Sequence, residues 1–199
     1  MHEYSVIGHP REKITFVVAF ISIVFGPIVI SFFESLYSSL TGQVLSLTVA
    51  VMSIFSLLYF AFNKWGWKVK LFSKLFSFPN LNGTWVCVGE TLDSDGSVKY
   101  EWAGNIEIEQ TWDSVLITLK TKNSSSTSLS LVGGIRYIPR VGYKLSYSYN
   151  NNPKVGEPEL EKHEGFCELT FTIGLDSAEG YYFNGPGRFS YGRMNLTRG

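Results

Sequence analysis

Two long stretches of this chain, 14–33 and 44–62, contain no Asp, Glu, Lys or Arg, and nothing else in the sequence restricts its fold as much. As helices rising about 1.5 Å per residue, each spans roughly the 30 Å of a bilayer's hydrocarbon core. Residues 34–43 between them carry a single charge, Glu34. That is enough chain to reverse direction but not to form a domain. The reading is a two-helix transmembrane hairpin. Two helices buried in a soluble core are the alternative, but such helices ordinarily keep a polar stripe.

The distribution of Lys and Arg sets the orientation. Arg11 and Lys13 precede the first run, Lys64, Lys68, Lys70 and Lys74 follow the second, and the connection has neither residue type. Both termini are therefore expected in the cytoplasm, with the hairpin tip on the far side of the membrane. Trp65 and Trp67 follow the second run, where indoles favour the headgroup zone. The first run is too long for a signal-peptide core and no small-residue cleavage site follows it, so it reads as an anchor. Pro27, lacking a backbone N–H, should bend the first helix. Ser22 with Gly26, and Ser46 with Ala50 and Ser53, form small-residue faces that permit close helix packing. Residues 68–79 mix Lys with Leu and Phe, as an amphipathic collar or a continued helix would. The polar lead, 1–13, is expected to be loosely ordered.

From residue 80 onward about 120 residues remain, enough for one domain. The chain's formal net charge is zero, which argues against a nucleic-acid polymer as partner, because that requires a basic face. Cys87 and Cys167 are the only cysteines. In a reducing cytoplasm they are expected as free, buried thiols. The same orientation removes any meaning from the sequons at Asn82, Asn123 and Asn195.

The texture after residue 80 is that of an all-β domain: alternating apolar residues with turn signals every ten to fifteen positions. Eight strands are expected, at 83–89, 100–110, 115–121, 127–138, 143–149, 164–174, 180–183 and 188–198, with one long loop at 150–162. Short connections favour a small antiparallel up-and-down β-barrel, since closure removes exposed edges. A β-sandwich is the alternative. An eight-stranded barrel is either filled by side chains or holds one small ligand. Alternation puts Tyr143, Leu145, Tyr147 and Tyr149 on one face and Phe189, Tyr191, Arg193 and Asn195 on another, but does not say which faces point inward.

No catalytic set is visible. There is no P-loop, HExxH or zinc spacing, and no nucleophile with a base and oxyanion site. His163, between Glu161 and Glu164, reads as a solvated loop residue. The chain is read as a non-enzyme without cofactor. A binding inventory remains. Arg136, Arg188 and Arg193 offer forks for phosphate oxygens. Tyr147, Tyr149, Tyr181, Tyr182, Tyr191, Trp102 and Trp112 offer flat faces on which bases stack. Together these residue types suit a small phosphate-bearing nucleotide. Equally, tyrosines are frequent in strands and arginines pair with surface carboxylates.

Several short motifs follow the two-helix anchor in order. They are Asn82-Gly83-Thr84-Trp85, Gln110-Thr111-Trp112, Tyr147-Ser148-Tyr149-Asn150, His163-Glu164-Gly165, Gly180-Tyr181 and the terminal 192–198 stretch beginning Gly192-Arg193. This order resembles the two-transmembrane, β-strand-rich barrel effectors of bacterial cyclic-oligonucleotide antiphage signalling (CBASS). The resemblance implies a cytoplasmic barrel that binds a cyclic dinucleotide made by a cognate nucleotidyltransferase. Homo-oligomerisation, disruption of the inner membrane by the transmembrane segments and death of the infected cell would follow. Tyr147, Tyr149, Tyr181, Tyr191, Trp112, Arg136, Arg188 and Arg193 are the candidate ligand residues. A membrane-tethered, lipocalin-like carrier of an apolar ligand and a non-binding assembly scaffold stay open as other classes.

Overall fold

The computed structural model describes residues 1–8, 11–41, 47–69, 78–122, 126–152, 162–185 and 188–199, excluding the side chains of 35–37, 41, 47 and 48. The chain divides into two compact units, one of residues 9–69 and one that joins residues 1–8 to 70–199.

The smaller unit contains helices α1 (Glu12–Thr41) and α2 (Leu47–Lys64), which pack on each other. Helix α1 runs unbroken through Pro27. Ile14, Val18, Ser22 and Gly26, four residues apart, form its buried face, and Ala50 is buried on α2. The Ser22 hydroxyl donates to the Val18 carbonyl at 2.7 Å and so needs no partner elsewhere. The opposite face of α1 is exposed yet apolar, with Phe16, Phe20, Ile23 and Phe32. Among the described residues, one helix segment, Glu12–Glu34, is long and apolar enough to cross a membrane, and the apolar part of α2, Val49–Lys64, is shorter. The expected small-residue face on α2 is only partly there: Ser53 is exposed and Ser46 lies outside the described residues. So does most of the expected collar, at 70–77.

The larger unit is one closed sheet of nine strands. They are β1 (His2–Ile7), β2 (Gly83–Leu92), β3 (Val98–Gln110), β4 (Ser114–Thr121), β5 (Thr127–Ile138), β6 (Gly142–Asn152), β7 (His163–Phe171), β8 (Ser177–Asn184) and β9 (Tyr191–Arg198). Strands β2 to β9 coincide with the eight expected from the sequence to within a few residues at their ends. The polar lead was expected to be loose and instead supplies the ninth. Alternation explains this: Tyr4 points into the sheet and is buried, whereas Glu3 and Ser5 point out. A single inward aromatic in six residues is too short a pattern to read as a strand unaided.

Strand order around the closed sheet is β1-β4-β3-β2-β9-β8-β7-β6-β5, so the architecture is not a plain up-and-down meander. Strand β1 enters between β4 and β5, antiparallel to the first and parallel to the second. Beyond its reach β4 and β5 pair directly, Thr118 with Leu129 and Lys120 with Thr127.

Candidate ligand-binding site

The interior of the sheet is packed at one end and hollow at the other. At the packed end, Phe78 stacks on Trp112 with ring centroids 4.6 Å apart, and Trp85 meets Phe171 edge-on at 4.8 Å. Leu81, Ile108, Val115, Ile135, Leu145 and Leu169 are fully buried with them. Gln110 satisfies this floor's polar groups, accepting from the Leu81 N–H and donating to the Tyr4 hydroxyl and the Pro79 carbonyl. Burying these groups unpaired would cost about 1–3 kcal/mol each.

Toward the other end, three inward positions that would continue this core are glycine. Each faces an aromatic residue across the ladder: Gly89 opposite Trp102, Gly165 opposite Tyr149, Gly192 opposite Tyr182. A Cβ at Gly165 would stand 2.5 Å from the Tyr149 ring, and one at Gly192 2.8 Å from the Tyr182 ring. At Gly89 it would overlap the Trp102 indole, with no other group among the three nearest atoms. The missing side chains let three rings lie back against the wall, and a cavity of about 210 Å³ opens between them.

Hydrogen bonds fix those rings. The Tyr182 hydroxyl lies 2.6 Å from Thr91 Oγ1 and accepts the Trp102 indole N–H at 3.1 Å. The Tyr149 hydroxyl donates to Asn184 Oδ1 at 2.7 Å, and Asn184 Nδ2 donates to Ser190 Oγ. Ser128 Oγ donates to Asn151 Oδ1 at 3.1 Å. Arg188 stands at the exposed mouth and donates to the Tyr100 hydroxyl at 3.0 Å.

Burial sets the protonation of the walls. It drives the Tyr147 phenol well up from its usual range, helped by the neighbouring Cys167. Burial, then Cys167, likewise pushes Tyr149 up, and burial raises Tyr182 despite bonds from Thr91 and Trp102. Both cysteines are free and buried, as expected. Burial pushes their thiols up to about 12, with mutual repulsion added for Cys87. Tyr100 at the mouth goes the other way: burial opposes it, but hydrogen bonds to Thr91 and Arg188 and the charges of Arg188 and Lys99 hold it below the ordinary phenol. The site is thus a set of neutral rings, hydroxyls and amides with one permanent cation, Arg188, among the described lining residues.

Of the eight candidate residues, Tyr147, Tyr149 and Arg188 line this cavity. The cavity opens where Thr91, Thr121, Asn151 and Asn184, at or near the ends of their strands, come together. The other five are placed elsewhere. Arg136, Tyr181, Tyr191 and Arg193 point outward, because each sits at an odd step from an inward neighbour in its strand. Arg193 pairs with Glu90 on the surface. The Tyr191 hydroxyl donates to the Asp93 carbonyl at 2.6 Å. Trp112 belongs to the packed floor. His163 corrects a further expectation: it opens β7, is buried and lines the cavity. Thr91, Asn151 and Asn184 were not singled out either, since a lone polar residue in a strand gives no sign of which way it points.

Two family models match parts of this chain. Residues 76–198 match a family described as "Cap15, cyclic dinucleotide receptor domain", and residues 12–68 match "Cap15, TM helices". A protein of Yersinia aleksiciae named CD-NTase-associated protein 15 is 40% identical over 207 residues, covering 99% of this chain and 97% of that protein.

Proposed function

This chain belongs to the Cap15 family, and on that premise we propose that it is a receptor-effector of CBASS antiphage defence whose closed sheet binds a cyclic dinucleotide. The observation that carries the reading is one cavity lined by glycine-backed Trp102, Tyr149 and Tyr182 together with Arg188, the one arginine among its described lining residues. Neutral rings stack on bases whatever their sequence, and a guanidinium suits a phosphate oxygen. An apolar-ligand carrier would need a wholly aliphatic wall, whereas Thr91, Ser128, Asn151, Asn184 and Ser190 join the rings and the aliphatic Ile117 and Leu119 here.

The barrel faces the cytoplasm in this reading, with both termini inside, and α1 and α2 form a hairpin across the inner membrane. Ligand binding drives assembly of several copies, and the transmembrane segments then disrupt the bilayer. The protein acts as a receptor rather than an enzyme, takes no cofactor, and receives its ligand from a partner nucleotidyltransferase. The test is dye release from vesicles that carry the full-length protein. Adding the cognate cyclic dinucleotide should release the dye, and linear dinucleotides should not. Release that is independent of any cyclic dinucleotide would refute the effector reading.

A further inference from the structure

Strand β1 is held in an unusual way. Its neighbours β4 and β5 lie more than a hundred residues away in sequence, and it forms a hairpin with neither. It buries one large side chain, Tyr4, whose hydroxyl donates to the Thr111 carbonyl at 3.0 Å, while Ile7 is 61% exposed. Its C-terminal end is separated from α1 by residues 8–11 alone. Few buried apolar contacts mark a segment that opens at low cost.

The strand also shares a node with the cavity wall. Ser130 Oγ lies 2.8 Å from His2 Nε2 on β1 and accepts the Ile117 N–H of β4 at 2.9 Å. Ile117, Leu119 and Ser128 line the cavity, and Leu119 and Ser128 are paired in the brief stretch where β4 meets β5 directly. Next to Ser130 the β5–β6 register slips by a bulge. The cavity, at about 210 Å³, is smaller than the roughly 300 Å³ at the low end of small-molecule pockets. Two nucleosides joined by two phosphates need the wall to give. Among the described residues, the β4–β5 seam is the shortest direct pairing between consecutive strands of the sheet.

We infer that β1 is a releasable strand: filling the cavity parts the β4–β5 seam, pulls Ser130 from His2 and unseats β1, which passes the binding event to α1. The inference rests on the receptor reading above. Binding and unseating are then linked, so whatever holds β1 in place weakens binding, by roughly 5–150-fold for couplings of ordinary size.

A lock can be built at one point. A Cβ on Gly134 would stand 4.0 Å from the Ser5 Cβ, within the approximately 3.5–4.5 Å that a disulfide spans. Full-length Ser5→Cys/Gly134→Cys and parent protein in lipid vesicles are titrated with cyclic di-AMP, cyclic di-GMP, cyclic AMP–GMP and cyclic UMP–AMP. The oxidised double variant should bind the parent's preferred probe at least fivefold more weakly and release no dye, and dithiothreitol should restore both. In the parent, that probe should speed amide hydrogen exchange at residues 4–7 at least tenfold while the other strands gain protection. Exchange at 4–7 that is unchanged or slowed, or equal binding and dye release by the oxidised and reduced lock, overturns the inference. Failure of the parent to bind any of the four probes overturns the receptor reading instead.

Discussion

Arg188 is the residue on which the charge of the site depends. It stands exposed at the mouth and donates a hydrogen bond to the Tyr100 hydroxyl. A charge-assisted contact to phosphate contributes about 1.5–3 kcal/mol, and about 1.4 kcal/mol is tenfold in affinity. Arg188→Ala should therefore weaken cyclic-dinucleotide binding tenfold to a hundredfold and leave the melting temperature within a degree or two. Arg193→Ala, which removes a surface pair with Glu90, should change neither. Side-by-side titration and thermal melts of the two variants check this, and equal affinities would remove Arg188 from the site. Alternation grouped Tyr147 with Tyr149 on one face of their strand, and that face lines the cavity. Arg193 and Tyr191 passed the same filter and point outward, because alternation defines two faces without naming the inner one. His163 was lost for a different reason: adjacent carboxylates made it look solvated, yet Glu164 alternates to the outside while the imidazole goes in.

At the scale of elements, the hollow end of the sheet is made by pairs rather than by single residues. Gly89, Gly165 and Gly192 mean little in the linear sequence; each becomes informative only when register sets it opposite a ring. Gly89→Ala is the cleanest probe, because the three nearest atoms to its new Cβ all belong to the Trp102 indole. The indole should swing into the cavity, with affinity falling at least tenfold while the far end of the sheet keeps its packing. Tryptophan fluorescence and titration together would show it; unchanged affinity would mean that Trp102 does not shape the site. The strands themselves were readable because turns and alternation punctuate them, but β1 was not, because its pairing partners are remote. In the helical unit, Ala50 is buried on α2, which packs on α1, and extra volume on a close-packing face keeps helices apart. Ala50→Phe should leave ligand binding within twofold of the parent and cut dye release severalfold. Full dye release would free this face of any part in the effector step.

For the whole molecule, the order of the chain is itself a constraint. Residues 1–8 belong to the sheet and residues 9–69 to the helical unit, so the chain leaves the receptor, passes through the helices and returns. Cutting at residue 80, where the sequence suggests a domain boundary, would remove β1 and, with it, Tyr4 and Phe78 from the packed floor. A boundary drawn from composition could not reveal this, because a six-residue strand is too short to alter the texture of a polar lead. The central claim, that the hollow end of this sheet is a cyclic-dinucleotide receptor, is thus best tested on the intact chain. Full-length protein in detergent is titrated calorimetrically with the four cyclic dinucleotides, with Arg188→Ala and Tyr149→Ala in parallel. The account predicts saturable binding of at least one probe at micromolar concentration or below, weakened at least tenfold in both variants. Binding of none of the probes, or undiminished binding by both variants, would contradict it.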